Sequence, residues 1–89
     1  MQIQEVAITN RHGLHARACA KIVQAAARFR CNVSFVVEGR RASARSIIAV
    51  MLLSASVGTT VRVEVEGPEE ARAMQEITAL IHGGFGERS

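Results

Sequence analysis

Residues Thr60 to Glu66 alternate strictly: Val61, Val63 and Val65 fall on one side of an extended chain, Arg62, Glu64 and Glu66 on the other. Successive side chains of a strand point to opposite faces, so this is a strand with one packed face and one wet face. Its sheet therefore carries a covering layer on one side only. Three further stretches fit the same sheet. Residues 2–9 place Val6 and Ile8 on one face, with Ile3 out of register. Val33, Phe35 and Val37 alternate over residues 32–37. Glu38-Gly39 then signals a hairpin, and Arg40 to Ser43 forms a brief return strand.

The intervening stretches supply the covering layer. Residues 16–28 read as a helix with Cys19, Ile22, Val23, Ala26 and Ala27 along its apolar stripe, and Lys21, Gln24 and Arg28 in water. The last helix opens at Gly67-Pro68-Glu69-Glu70, with proline early and acids in the first turn. Ala73, Met74, Ile77, Leu80 and Ile81 form its stripe, and Gly83-Gly84 stops it. Residues 84–89 are expected to be a loose tail. Between them, Ser46 to Leu53 is apolar nearly all round. Either this short helix is wholly buried, or Val50 and Leu53 face the core and Ile47, Ile48 and Met51 form an exposed patch. The order is β-α-β-β-α-β-α, which predicts an α+β, two-layer open-faced sandwich. Its four-stranded antiparallel sheet carries three helices on one face. The chain's 89 residues suffice for one such domain, residues 1–89, and not for two cores. Ferredoxin-like folds share a similar order, so topology alone assigns no function.

Composition narrows the function classes. Apolar residues make up 48% of the chain, but there is no Trp or Tyr, so Val, Ile, Leu, Met, Ala and three Phe must build the core. The net charge of +3 comes from arginine, Lys21 being the one lysine. Arg28, Arg30, Arg40, Arg41 and Arg45 are expected to form a basic surface, of a kind that meets nucleic acid or an acidic protein partner; with no stacking aromatics interleaved, single-strand and RNA-recognition modes fit poorly, and no nucleic-acid partner is expected. Cys19 and Cys31 have no metal-ligand spacing; Cys19 lies on an apolar helix face as a small buried residue. No metal, cofactor, signal peptide or membrane span is expected, and the expected location is cytoplasmic, with free thiols.

The chemistry concentrates in residues 10–20. Asn10 and Gly13 mark a turn, and His15 falls at the cap of the helix beginning near Ala16. The first turn of a helix carries N–H groups without intrahelical partners and a partial positive charge, a natural anion site. Arg17 adds a guanidinium that can fork onto phosphate oxygens. Neutral imidazole is a competent nucleophile near pH 7. A histidine that accepts and passes on a phosphoryl group would use all three. The plainer alternative is a surface histidine capping a helix beside a surface arginine. His12 and His82 read as lone surface histidines.

Gly13-Leu14-His15-Ala16-Arg17 resembles the active-site motif of the HPr family, the histidine phosphocarriers of the bacterial phosphotransferase system. Length and element order agree over essentially the whole chain. The resemblance implies a carrier rather than a free-standing enzyme. His15 would accept a phosphoryl group on Nδ1 from the phosphohistidine of enzyme I, itself charged by phosphoenolpyruvate, and pass it to a histidine of an enzyme IIA protein. Arg17 and the backbone N–H groups of Ala16, Arg17 and Ala18 would hold the phosphoryl oxygens. Ala20, Gln24, Ile47, Ile48 and Met51 would form the docking face around His15, on a protein expected to be monomeric. Ser46 would cap the second helix; in some HPr proteins the matching serine is phosphorylated by an HPr kinase. HPr proteins usually carry proline where this chain has Ala18, and alanine restores an N–H in the first turn. The second half, including Ala44 to Leu53 and the Gly84-Phe85-Gly86-Glu87 ending, is similar to NPr, the nitrogen-related branch. The alternative is a regulatory protein-binding module of the same fold without carrier turnover.

Overall fold

A computed structural model describes residues 1–87. The strands are β1 (Gln2–Ala7), β2 (Asn32–Val37), β3 (Arg40–Ser43) and β4 (Thr60–Glu66), and the helices α1 (Ala16–Ala27), α2 (Ile47–Met51) and α3 (Glu70–His82). The sheet is antiparallel throughout, in the order β1-β4-β2-β3. The expected two-layer α+β sandwich is thus the observed fold.

β4 sits between β1 and β2, and its alternation sets the two faces. Val6 pairs with Val61, and Phe35 with Val63, on the covered face. These side chains, with Val33, Val37 and Val65, meet Ile22 of α1, Val50 of α2, and Met74, Ile77 and Ile81 of α3 in one core. On the open face Glu64 lies under Arg41 of β3 and beside Arg62, whose Nε is 3.0 Å from its carboxylate. The bond from Arg41, helped by Arg62, holds the Glu64 carboxyl below the usual range. At the β2–β3 hairpin Glu38 and Gly39 both take positive φ, which matches the strand twist.

The α1 stripe is rotated slightly from its expected position. Ala18, Cys19, Ile22, Ala25 and Ala26 are buried, whereas Val23 is half-buried and Ala27 exposed. Small side chains at Ala18, Ala25 and Ala26 let the helix lie close to its neighbours. Three of the five arginines expected to form a basic surface have separate partners. Arg28 pairs with Glu76 at 3.4 Å, Arg41 pairs with Glu64, and the Arg40 guanidinium donates to the Leu53 carbonyl at 2.9 Å, closing the C-terminal end of α2.

The expected loose tail is corrected over residues 84–87; residues 88–89 lie outside the described residues. Gly84–Gly86 forms a 3₁₀ turn, and the Phe85 ring is buried with 1% exposure. The Lys21 ammonium donates to the Phe85 carbonyl, and the Glu87 N–H donates to Gly84 O at 3.0 Å. The glycines that stop α3 also turn the chain back, so a large apolar ring reaches the core. Phe85→Ala is therefore expected to cost about 3 kcal/mol or more in urea denaturation, as for other buried Phe truncations. A loss below about 0.5 kcal/mol would show that the tail lies outside the cooperative fold.

Candidate functional site

The loop between β1 and α1 is fixed by neighbours on both sides. Ile8 N–H donates to Thr59 O at 2.9 Å, and Leu14 N–H to Ala55 O at 2.9 Å, which ties it to the segment following α2. Gly13 holds φ +64°, and a Cβ there would stand 2.5 Å from the Ala55 carbonyl oxygen, so a glycine is required. Asn10 is buried, and its Nδ2 donates to Gly13 O at 2.8 Å. Thr9 Oγ1 donates to Ile81 O at 3.2 Å, fixing the same loop to the end of α3.

These constraints present His15 as the N-cap of α1, with extended backbone angles and its ring half-exposed. Cys19 N–H donates to His15 O at 2.9 Å and begins the helical ladder. The N–H groups ahead of it lack intrahelical acceptors. That of Arg17 donates to His15 Nδ1 at 3.3 Å, a long contact. On the far side of the ring, Nε2 is bonded to the Glu87 carboxylate. A carboxylate accepts and cannot donate, so neutral His15 carries its proton on Nε2. Nδ1 then keeps its lone pair, which the Arg17 N–H satisfies. An imidazolium would set two donors face to face at Nδ1.

The His15 bond, and next the Asn10 amide at 3.1 Å, hold the Glu87 carboxyl below the usual range, aided by the charges of His15 and His12. His12 stands edge-on to His15, with ring centroids 6.0 Å apart, so it is a neighbour of the site rather than a lone surface residue. His12, His15, Ala16, Arg17 and Glu87 line one shallow open depression. Among the described residues Arg17 has no ion-pair partner, which leaves its guanidinium available. Ala18 is fully buried and does not line the depression. The more enclosed cleft, lined by Ala26, Phe29 and Cys31, contains none of these groups. Burial pushes the Cys19 thiol up to about 11, so it stays protonated and inert.

The proposed docking residues occupy α1 and α2, which pack against each other. Gln24 is exposed and Ala20 half-buried. Ile47, Ile48 and Met51 show 38%, 68% and 38% exposure, while Val50 and Leu53 are buried, so the exposed-patch alternative is the one realised. Leu52 and Val57 add exposed apolar surface that the sequence reading did not single out. Ser46 is exposed, and its Oγ accepts the Ala49 N–H at 3.1 Å as the α2 cap. Sequence reasoning also missed Asn10 as a support and Glu87 as a partner of His15. Among the described residues no cluster of three or more His, Cys, Asp or Glu could hold a metal ion, and no helix is long and apolar enough to cross a membrane.

Comparison with known proteins identifies the family and agrees with the fold. The model of the family described as "PTS HPr component phosphorylation site" matches residues 3–83. A phosphocarrier protein HPr of Xylella fastidiosa is 46% identical over 83 residues, 93% of each chain. That of Cupriavidus necator is 45% identical over 84 residues, 94% of each. The crystal structure of HPr from Thermoanaerobacter tengcongensis superposes with a TM-score of 0.95 at 34% identity, covering 100% of both chains.

The lowered Glu87 value fixes the sign of one pH effect. A carboxyl whose folded value lies below its unfolded value stabilises the fold above the unfolded value, and the stabilisation is lost as pH falls through the folded one. Wild type should therefore exceed Glu87→Gln in stability at pH 7, the gap closing below about pH 4.3, the ordinary glutamate range. A gap unchanged across that titration, in denaturant melts at each pH, would rule out the Glu87 contact as its source.

Proposed function

The chain belongs to the HPr family and is a phosphocarrier of the phosphotransferase system, and from that premise we propose that His15 is the residue that carries the phosphoryl group. The donor is the phosphohistidine of enzyme I and the acceptor a histidine of an enzyme IIA protein. The observation that supports this most directly is the setting of the His15 ring: Nδ1 accepts from the Arg17 N–H at the helix N-terminus, and Nε2 meets the Glu87 carboxylate.

In transfer, the Nδ1 lone pair forms a bond to phosphorus as the donor's N–P bond breaks, and the electron pair of that bond returns to the donor nitrogen. The Arg17 N–H leaves Nδ1 and, with the Ala16 N–H, turns to the phosphoryl oxygens. Its 3.3 Å contact is weak enough to exchange at small cost. The Arg17 guanidinium forks onto the remaining oxygens. Positioning and charge stabilisation are all such a step asks of the protein. An open depression suits the task, because two proteins must reach the same nitrogen in turn.

Ala20, Gln24, Ile47, Ile48 and Met51 form the surface on which donor and acceptor dock alternately. A monomer with one such face fits brief encounters of modest area. Ser46 lies at the head of that face. A phosphate there would favour the α2 N-terminus but set nearly two negative charges against the partner. Carrier turnover accounts for an Arg17 without an ion pair among the described residues and for the ring geometry, which a purely regulatory binding module would not need.

With enzyme I, magnesium and labelled phosphoenolpyruvate, wild type should acquire acid-labile, alkali-stable label, and His15→Ala none. Arg17→Ala should slow labelling about 100-fold, the scale of losing a charge-stabilising donor. Ile48→Glu and Ser46→Asp should weaken transfer without altering His15. Label retained in His15→Ala and lost in His12→Ala would move the site. Sugar-branch and nitrogen-branch enzyme I, run side by side, assign the branch.

A further inference from the structure

The C-terminal turn brings to His15 a carboxylate that lies beyond the residues 3–83 matched by the family model. We propose that Glu87 is a positioning residue for phosphoryl transfer: it holds the proton on His15 Nε2, fixes the ring so that Nδ1 faces the helix N-terminus, and offsets the positive charge the ring acquires on attack. The proposal rests on the reading of His15 as the carrier residue.

The carboxylate is aimed rather than incidental. Its two oxygens have different partners, Oε2 taking His15 Nε2 and Oε1 taking the Asn10 amide at 3.1 Å. Asn10 is itself buried and bonded to Gly13 O at 2.8 Å, within the loop that sets His15. The backbone that delivers Glu87 is anchored by the buried Phe85 ring and by the Lys21 bond to Phe85 O. Phe85 takes φ +58°, an unfavourable angle for a side chain of this size, which the burial of its ring outweighs. A dangling terminal glutamate would need none of these attachments.

The chemistry follows from the ring. Nε2 and Nδ1 lie on opposite sides of the imidazole, so the carboxylate does not stand in the path of the incoming phosphorus. As the Nδ1–P bond forms and the donor N–P bond breaks, positive charge develops on the ring. Nε2 keeps its proton throughout, bonded to Glu87, and no proton leaves. The reverse holds when the group passes on. A carboxylate behind a reacting histidine orients the tautomer and stabilises the imidazolium in the same way in hydrolytic triads.

The test uses the full chain, with Glu87→Ala, Glu87→Gln, Glu87→Asp and His15→Ala assayed in parallel for phosphoryl acceptance from enzyme I. Glu87→Ala should lower kcat/KM about ten-fold, the lower end for losing a partner that orients a functional histidine. The fall should be in kcat, with KM for enzyme I unchanged. Glu87→Gln keeps an acceptor without charge and should fall between. Glu87→Asp should recover part of the loss. Nitrogen-15 shifts of the His15 ring, above its titration, should show Nε2–H dominant in wild type and a mixture in Glu87→Ala. Circular dichroism of each variant checks that it is folded. Wild-type kcat and tautomer ratio in Glu87→Ala, with His15→Ala inactive, would overturn this role and leave the carrier reading standing. Faster transfer in Glu87→Ala would identify the carboxylate as an obstruction. Label persisting in His15→Ala would instead remove the carrier reading itself.

Discussion

His15 is both the cap of α1 and the candidate nucleophile, and that double role constrains the rest of the molecule. A helix cap must place an acceptor against first-turn N–H groups, and here the acceptor is Nδ1. The nitrogen that would take the phosphoryl group is thus already directed at the donors that would receive its oxygens. The helix needs a cap for its own stability, so the geometry is maintained between turnovers. When phosphoryl replaces the lone pair as the partner of the Arg17 N–H, the helix end exchanges one acceptor for another of greater charge.

That arrangement depends on a loop with little freedom. Gly13 lies too near the Ala55 carbonyl to bear a side chain, and the Leu14 N–H donates to the same oxygen. Ala55 follows α2, so the loop bearing His15 and the helix bearing Ile47, Ile48 and Met51 are joined through one carbonyl. Arg40 closes the other end of that connection by binding the Leu52 and Leu53 carbonyls. A partner seated on α2 therefore meets a surface held in fixed relation to the histidine, which a carrier serving two proteins in turn requires.

The sheet was readable from the chain because alternation is a direct projection of burial: Val61, Val63 and Val65 are all fully buried, and Arg62 and Glu66 are exposed. The histidine was readable because Gly13, His15 and Arg17 are close in sequence. α2 stayed ambiguous, since an apolar run has no phase, and only the packing of Val50 and Leu53 leaves Ile48 outside. The tail was misread for a different reason. Gly83-Gly84 ends a helix by composition, yet composition does not tell whether the chain departs or turns back. The partner of Glu87 lies 72 residues away, and no local pattern encodes a contact of that range. Arg40, Arg41 and Arg28 were grouped as one basic surface because charge counts carry no direction.

The central claim is that Nδ1 of His15 is the atom that bears the phosphoryl group, and nitrogen-15 NMR of the phosphorylated protein tests it most directly. Protein labelled at histidine nitrogen, charged with enzyme I and phosphoenolpyruvate, should show one-bond phosphorus coupling at His15 Nδ1 and none at its Nε2, which keeps its proton. Coupling at His15 Nε2, or on the ring of His12 or His82, would contradict the account.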